Sequence, residues 1–215
     1  TQFAIVGAAS ALLAACAAWA AEPTFHAPLD GDLAGGKVAD AEIAFAPGLV
    51  GQAATVGAAG DREFRCTWDS EGRISAEQGA ISIWVKPLDW DASNPHHQVF
   101  LSATGENAVL HIYRYNDVGA QSGYSRKLMF LYGPSQRDAE GAWQWTIASA
   151  ESAREWEAGQ WHHIACTWDA DAMVLYLDGQ IAETRKVAAP PATPFDAFGI
   201  GGAYSWQNTG GTSLI

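Results

Sequence analysis

Short runs in which apolar and polar residues alternate follow one another along most of the chain, separated by Gly, Pro, Asn and Asp. A period of two is typical of β-strands, because successive side chains of a strand point to opposite faces. The clearest run is Trp161–Trp168, and a second run, Met173–Leu177, follows a short polar turn. Asp178-Gly179 then supplies the positive φ angles that a tight turn into Ile181–Lys186 requires. Helical periodicity is nearly absent, so the pattern predicts antiparallel hairpins.

The same pattern along the whole chain predicts an all-β fold, an antiparallel sandwich of two sheets. The predicted strands are Thr24–Leu29, Gly51–Val56, Glu63–Trp68, Ala80–Lys86, Gln98–Ala103, Ala108–Tyr115, Lys127–Tyr132, Trp143–Ala150, Trp161–Trp168, Met173–Leu177, Ile181–Lys186 and Ala197–Ile200. The only helical feature that we predict is a single turn at Ser152–Trp156.

Two of these strands carry motifs that point to a known family. The residues Trp-His-His-Ile-Ala, Trp-Asp and Leu-Tyr-Leu-Asp-Gly within Trp161–Gln180 resemble the signature of LamG-like domains in the concanavalin A-like lectin/glucanase superfamily. Upstream, Gly79–Pro87 (GAISIWVKP) is similar to the family's GTISFWVKP strand. The resemblance covers about Phe25–Gly202 and implies a jellyroll sandwich.

The first residues are typical of an export signal. The first 21 residues contain no charged side chain, and Phe3–Ala15 is an apolar run of the length of a signal-peptide core. Ala18-Trp19-Ala20 fits a cleavage site, which predicts a signal peptide over residues 1–20 and a LamG-like domain over 21–215. Leu13–Cys16 resembles a bacterial lipobox, so lipidation of Cys16 is the alternative. Both alternatives predict a secreted or cell-surface protein of bacterial origin, with no membrane insertion after cleavage.

The C-terminal residues suggest an incomplete sandwich. The resemblance implies a closing strand after a Gly-rich turn, and Gly210–Ile215 reaches only the start of such a strand. We therefore expect the closing strand to be missing, an unpaired edge next to Thr24–Leu29, and further domains C-terminal to this sequence.

The charge of the chain limits the classes of partner. With 12 Lys and Arg against 24 Asp and Glu, the net charge is −12. Such a surface repels phosphate backbones and anionic lipid, which argues against nucleic-acid binding. Neutral glycans and calcium remain compatible with it. Cys66 and Cys166 each lie in an alternating run, so they are either a disulfide or two buried thiols.

No motif for catalysis is found. Retaining glycosidases need two carboxylates about 5 Å apart, and the Glu-x-Asp-x-Glu run of the jellyroll glucanases is absent from this sequence. His162 and His163 are adjacent on a strand, so their side chains point to opposite faces and cannot bind one metal ion. The sequence therefore favours a non-catalytic protein over an enzyme, although the family hosts both.

A calcium site is a separate hypothesis that comes from the resemblance. Asp30-Gly31 ends a segment similar to the family's opening Leu-Asp-Gly turn, where several LamG-like domains hold calcium. Asp30 and Asp32 are the candidate ligands, and calcium needs six to eight oxygen ligands in all. The alternative is that Asp30-Gly31 only forms a turn.

Aromatic residues in alternation are the candidate ligand-binding residues. His111, Tyr113 and Tyr115 share one face of a predicted strand, and Trp143 and Trp145 have the same spacing on another. Aromatic rings with polar tips suit stacking on sugars, whereas packing between the sheets is the alternative. We expect Trp84, Trp161 and Trp168 to lie in the core, and Trp90 and Trp206 to be loop residues and alternative ligand contacts.

Together these features predict an extracellular recognition module that binds carbohydrate or another extracellular ligand, with calcium as a possible cofactor. Two alternatives stay open from the sequence. One is a part of a secreted polysaccharide-degrading enzyme, and the other is a structural or adhesive spacer of a large surface protein.

Overall fold

Antiparallel strands make up nearly all the regular structure of the computed structural model, which describes residues 22–39, 42–59, 62–115, 126–202 and 210–215. The predicted signal peptide, Cys16 and Trp206 lie outside the described residues. A 3₁₀ helix at Glu151–Glu155 is the one helical element of the described part. It matches the turn predicted at Ser152–Trp156. Within the same residues, no helix is long and apolar enough to cross a membrane.

The described strands are β1 Lys37–Val38, β2 Phe45–Pro47, β3 Gln52–Ala59, β4 Arg62–Asp69, β5 Gly79–Pro87, β6 Gln98–Gly105, β7 Ala108–Arg114, β8 Leu128–Gly133, β9 Thr146–Ala150, β10 His162–Trp168, β11 Ala172–Leu177, β12 Gln180–Lys186, β13 Ala197–Gly201 and β14 Gly211–Leu214. Their hydrogen-bonded order is β12-β11-β10-β5-β14-β3-β4-β13-β6-β7-β8-β9, with β1 beside β4 and β2 beside β3. The path folds over on itself into two packed layers. The predicted all-β jellyroll sandwich is confirmed.

The layer that contains β5 and β10 has the most regular pairing. All seven residues of β10 pair with β5, from His162 opposite Val85 to Trp168 opposite Gly79. On the other side β10 pairs with β11, and β11 pairs with β12 through a register shift between Leu175 and Tyr176. The three-strand unit predicted from the turn at Asp178-Gly179 is therefore present, with Asp178 at a φ of 51°.

The two layers meet through aromatic side chains. Trp168 of β10 contacts Phe130 and Tyr132 of β8, with ring centroids 6.3 and 6.1 Å apart. The Trp168 indole N–H donates to the carbonyl of Ser75, 3.3 Å away. The Tyr132 hydroxyl donates to the carbonyl of Ala76, 2.7 Å away. These bonds satisfy polar atoms that burial removes from water.

A second aromatic group fills one end of the sandwich. Trp90 contacts Phe100 and Trp156, with ring centroids 6.2 and 6.1 Å apart. Trp90 lies in the loop after β5, as predicted, but it is only 2% exposed, which does not fit its predicted use as an alternative ligand contact. Trp90 follows the end of β5, but its ring packs inward because Phe100 and Trp156 supply an apolar site and Ser213 accepts its N–H, 3.1 Å away.

The strand predicted at Thr24–Leu29 is absent from the structure. Pro28 has no N–H to donate to a sheet, and Leu29 has a φ of 55°, which an extended strand does not allow. The segment instead covers the core, because Phe25 contacts Trp68 and Phe198 with ring centroids 5.3 and 5.1 Å away.

Two further differences from the predicted strands concern their ends. β9 begins at Thr146 rather than at Trp143, and Trp143 forms only an isolated bridge with Arg137. Gly211–Leu214 forms β14, which pairs with β3 and, over two residues, with β5. The neighbour of this C-terminal strand is therefore not Thr24–Leu29.

Among the described residues, Cys66 in β4 and Cys166 in β10 are buried free thiols. Burial raises the pKa of the Cys66 thiol to about 11 and raises that of Cys166 well above its usual range. Each thiol is part of the inter-sheet core. Of the two alternatives, the structure shows the buried thiols.

Glu183 joins the two ends of the strand order. Glu183 lies in β12, and its Oε2 accepts hydrogen bonds from the backbone N–H of Ser149 in β9, 2.6 Å away, and from the Ser149 hydroxyl, 3.3 Å away. Arg185 lies 2.9 Å from the other carboxylate oxygen. The carboxylate thus pairs an edge N–H that would otherwise lack a strand neighbour.

We predict that Glu183→Ala lowers the free energy of unfolding by about 1–2 kcal/mol, because a partly buried N–H loses its acceptor. Glu183→Gln keeps an acceptor oxygen and is expected to lose less. Urea denaturation measures both, with Glu71→Ala, an exposed turn residue, as the control. Equal stability of the Ala variant and the wild type would contradict this function of Glu183.

Candidate ligand-binding surfaces

The outer face of the layer formed by β6–β9 carries the residues that the alternation on β7 singled out. Leu110 and Ile112 point into the inter-sheet core. Tyr113 instead belongs to a second, separate cluster on the other face of the sheet, with Val109, Met129 and Leu131. The alternative reading of Tyr113, packing between the sheets, therefore does not describe its position.

The predicted aromatic residues gather around this outer cluster. Tyr115 and Trp145 pack against it, and Tyr113 and Tyr115 are edge to face with ring centroids 6.3 Å apart. Tyr113 is only 6% exposed, so its ring supports the surface rather than forming it. His97, which is buried, lies 4.7 Å from the Tyr115 ring.

Trp143 is the exposed member of the predicted set. It is 46% exposed and stacks on Trp145 with ring centroids 5.8 Å apart and planes 24° apart. The Arg137 guanidinium lies 4.2 Å from the centroid of the Trp143 ring, a cation–π distance. We call Arg137, Trp143 and Trp145 the Trp143 surface.

Hydrogen bonds hold the loop that carries the Trp143 surface. Asp138 Oδ1 accepts from the backbone N–H groups of Glu140 and Ala142, 3.1 and 2.7 Å away. Gln136 donates to Gln144 across the loop, 3.0 Å away. A loop fixed in this way loses little conformational freedom when a ligand binds.

His111 lies on the same outer face, opposite Ser102 in β6 and Leu131 in β8. Burial lowers the pKa of His111 from 6.5 to about 4. The imidazole is therefore neutral at pH 7 and supplies no positive charge to a ligand.

Trp168 lies in the core, as predicted. Trp84 and Trp161 were predicted to lie there too, and the structure shows that they do not. Trp84 is 45% exposed and Trp161 is partly exposed. Both lie on the outer face of the other layer, where Trp84 is opposite His163. We call Ser82, Trp84, Trp161, His163 and Tyr176 the Trp84 face; Tyr176 and Ser82 are both opposite Ala165.

Polar contacts run across the Trp84 face. His163 Nε2 and the Ser82 hydroxyl are 2.8 Å apart, and the His163 ring centroid lies 4.9 Å from that of Trp84. The Lys86 ammonium lies 5.1 Å from the centroid of the Trp161 ring. The sequence contained a signal for this face, since the residues two positions from Trp84 are the polar Ser82 and Lys86.

The two adjacent histidines point to opposite faces, as predicted. His162 Nδ1 is 2.9 Å from Asp178 Oδ2 and its ring stacks on Trp156, whereas His163 contacts Ser82. Asp178 therefore contacts the ring of one histidine and Ser82 contacts the other. This arrangement does not build the Ser–His–Asp relay that nucleophilic catalysis uses.

The aspartates near strand ends act as turn acceptors. Hydrogen bonds from Ser93 lower the pKa of Asp91, and those from the backbone of Ala172 and Asp171 lower the pKa of Asp169. Asp89 accepts the backbone N–H of Thr212, 2.6 Å away. A glycosidase needs one carboxyl whose pKa is raised, whereas the pKa values of Asp91 and Asp169 are lowered.

The two candidate calcium ligands also accept backbone hydrogen bonds, Asp30 from a distant residue and Asp32 within a turn. Asp30 Oδ1 accepts the backbone N–H of Gln52, 2.9 Å away, and Asp32 Oδ1 accepts that of Ala34, 2.6 Å away. Among the described residues, no group of three or more His, Cys, Asp and Glu could hold a metal ion. Asp30 and Asp32 alone supply fewer oxygens than the six to eight that calcium needs, so a site there requires further ligands.

Comparison with protein families gives one match over more than half of the chain. The matching model is described as the concanavalin A-like lectin/glucanases superfamily, and it covers residues 52–214. Comparison with curated proteins gives no match.

Solved structures with similar folds include a domain of an arabinanase and the binding domain of a neurotoxin. Domain 4 of AbnA, a GH43 extracellular arabinanase from Geobacillus stearothermophilus in complex with arabinotriose, is 18% identical with a TM-score of 0.53, over 83% of this chain and 79% of that chain. The binding domain of botulinum neurotoxin DC in complex with SialylT is 16% identical with a TM-score of 0.57, over 84% of this chain and 41% of that chain. This chain thus spans about two fifths of the toxin chain. At these identities the likeness concerns the fold.

The pKa of His111 generates a prediction about pH. Because the folded state lowers this pKa from 6.5 to about 4, the unfolded chain binds more protons within that interval. Stability is therefore complete above the unfolded pKa and falls as the pH decreases through the interval. Between about pH 7 and about pH 5, we expect the wild type to lose about 1–2 kcal/mol more than His111→Gln. Denaturant titrations at both pH values measure the difference, and the exposed His26→Gln is the control.

Calcium binding at Asp30 and Asp32 stays a prediction of the sequence. Two variants of Asp30 distinguish a calcium ligand from a residue that only accepts the backbone hydrogen bond of Gln52. Asp30→Asn keeps an oxygen for Gln52 N–H but loses the charge, whereas Asp30→Ala loses both. From the contacts we expect Asp30→Ala to cost about 0.5–1 kcal/mol and Asp30→Asn to be near neutral. Thermal melting with calcium and with EDTA measures this. A rise in wild-type Tm with calcium that both variants lack would instead support the metal site.

Proposed function

This chain belongs to the concanavalin A-like lectin/glucanases superfamily, and on that premise we propose that it is a non-catalytic module that binds carbohydrate at the Trp143 surface. The observation that carries the proposal is an exposed indole held beside a guanidinium and a second indole. Flat apolar rings with neighbouring donors are the usual means by which proteins bind sugar rings.

Each predicted site residue has a different part in this proposal. Trp143 and Trp145 make the ring contacts, and Arg137 donates hydrogen bonds at the rim. Tyr115 is partly exposed beside them. Tyr113 is too deeply buried for direct contact, so it supports the sheet face below, and His111 is partly buried beside it.

Neither Asp91 nor Asp169 has the raised pKa that the acid of a glycosidase requires, which supports a binding function rather than hydrolysis. The net charge of −12 favours neutral glycans over acidic ones, because like charges repel at long range. Stacking on a few rings gives weak binding at one site, which several copies or several sites strengthen.

Export is part of the same proposal. The uncharged, Ala-rich residues 1–20 are its support, with lipidation at Cys16 as the alternative to ordinary cleavage. Extracellular polysaccharide would then be accessible to the domain.

The test uses glycans of the kind that the similar solved domains bind. Arabinotriose, debranched arabinan and ganglioside-type sialylated oligosaccharide are titrated into the protein by calorimetry. We predict that Trp143→Ala weakens binding of the responsive glycan about tenfold, or about 1.4 kcal/mol, because a stacking plane is lost. Trp143→Phe should recover part of the affinity.

The control is Val50→Ala, an exposed apolar residue that is 87% exposed between β2 and β3. It should bind as the wild type does. Binding that Trp143→Ala leaves unchanged would place the site elsewhere, and a wild type that binds none of the glycans would favour the spacer.

A further inference from the structure

The outer face of β5, β10 and β11 is an open surface, unlike the filled outer face of the other layer. The burial of β5 alternates, with Ser82 and Trp84 exposed and Val85 buried. On β10 the inner residues Ile164 and Cys166 are fully buried, and the residues between them are only partly buried. This face therefore presents side chains to solvent along three paired strands.

The shape of the face comes from small and large side chains in neighbouring positions. Ala165 lies between Ser82 on β5 and Tyr176 on β11. One step along the strands, Trp84 and His163 form a pair of rings. The small side chains of Ser82 and Ala165 thus lie beside the rings of Trp84, His163 and Tyr176, an arrangement that suits a flat ring of a ligand, and we call this position the shelf.

The charge of the face differs from that of the chain. The outward positions of these three strands are Ala80, Ser82, Trp84, Lys86, His163, Ala165, Thr167, Ala172, Val174 and Tyr176. They include no carboxylate, in a chain whose net charge is −12, and the nearby carboxylate of Asp178, directly after β11, is hydrogen-bonded to the His163 N–H and the His162 ring. The hydroxyl groups of Ser82, Thr167 and Tyr176 and the imidazole of His163 are hydrogen-bonding groups that suit a polar, uncharged ligand.

From these observations we propose that the Trp84 face is a second binding site, which takes a neutral polysaccharide chain independently of the Trp143 surface. A sugar ring stacks on Trp84, and His163 and Ser82 hydrogen-bond to its hydroxyl groups. The proposal shares its ligand class with the proposed function but depends on different residues.

A glycan fits this face better than a protein partner does. Stable protein interfaces bury about 1,200 Å² or more around an apolar centre. Here the exposed large apolar residues of the layer are few among the described residues, chiefly Trp84 and Ile181, and the centre of the face carries Ser82 and Thr167. An acidic polysaccharide is disfavoured, because the single Lys86 does not offset the net negative charge.

The Trp84 face lies on the outer side of one layer, and the Trp143 surface lies on a rim loop of the other layer, so the two proposed sites are separate. One protein molecule would then join two polysaccharide chains, which neither site does alone. This gives the proposal a readout that a single site cannot produce.

The experiment is affinity electrophoresis of the whole chain in gels that contain debranched arabinan, β-1,4-galactan, xyloglucan or laminarin, together with turbidity of the soluble polymer. We expect Trp84→Ala to reduce retardation in the responsive gel at least about fivefold and Trp84→Phe to restore part of it. Trp143→Ala should act independently, and the double variant should migrate as in a gel without polymer. Only the wild type should cross-link the polymer.

Ser82→Gln, which fills the shelf without changing the charge, is the second variant. Circular dichroism checks the fold of each variant.

The outcomes separate the two proposals. Retardation of Trp84→Ala equal to that of the wild type, with loss in Trp143→Ala, overturns the second site and leaves the proposed function standing. Loss in Trp84→Ala with no effect of Trp143→Ala supports the Trp84 face and overturns the Trp143 surface. A wild type that no gel retards overturns both. Sedimentation that shows a wild-type dimer and a monomeric Trp84→Ala makes the face a self-interface and overturns its glycan site.

Discussion

The contact of Trp168 with Phe130 and Tyr132 joins the two layers, and the rest of the structure depends on burying that inner surface. Each strand has a period of two, so placing one set of side chains inside commits the other set to the outside. The inner positions of β10 are filled by Ile164, Cys166 and Trp168. Function is therefore left to the outward positions and to the loops.

The two outer faces use this freedom differently. On the β6–β9 layer, Val109, Tyr113, Met129 and Leu131 form a second apolar cluster in which each residue is at most 8% exposed. The surface accessible to a ligand is thereby displaced to the rim loop with Trp143. On the other layer no such cluster forms among the described residues, and Trp84 stays exposed on the sheet itself.

Alternation within a strand was predictable, and contacts between distant segments were not. The pattern separated Leu110 and Ile112 from Tyr113, because that separation depends only on the local period. The same rule applied to Trp84 would have placed it beside Ser82 and Lys86, outside the core. Trp90 could not be placed in this way, since its burial depends on Phe100 and Trp156, which are remote in sequence. Phe25 covers the core for the same kind of reason.

A buried guanidinium links β6, β7 and the loop after β5 at one end of the sandwich. Arg114 of β7 is fully buried and donates to Gln98 and to the carbonyl of Ala92, 2.9 and 2.7 Å away, and burial lowers its pKa to about 10. Gln98 in turn donates to the carbonyl of Gly210, 2.9 Å away, which ties the start of β14 to the loop after β5. Because packed sheets lie about 10 Å apart with their outer faces directed oppositely, a stiff polysaccharide cannot bend around the sandwich to reach both surfaces. Two sites would then bind two chains, which favours cross-linking of polysaccharide over tighter binding of a single chain.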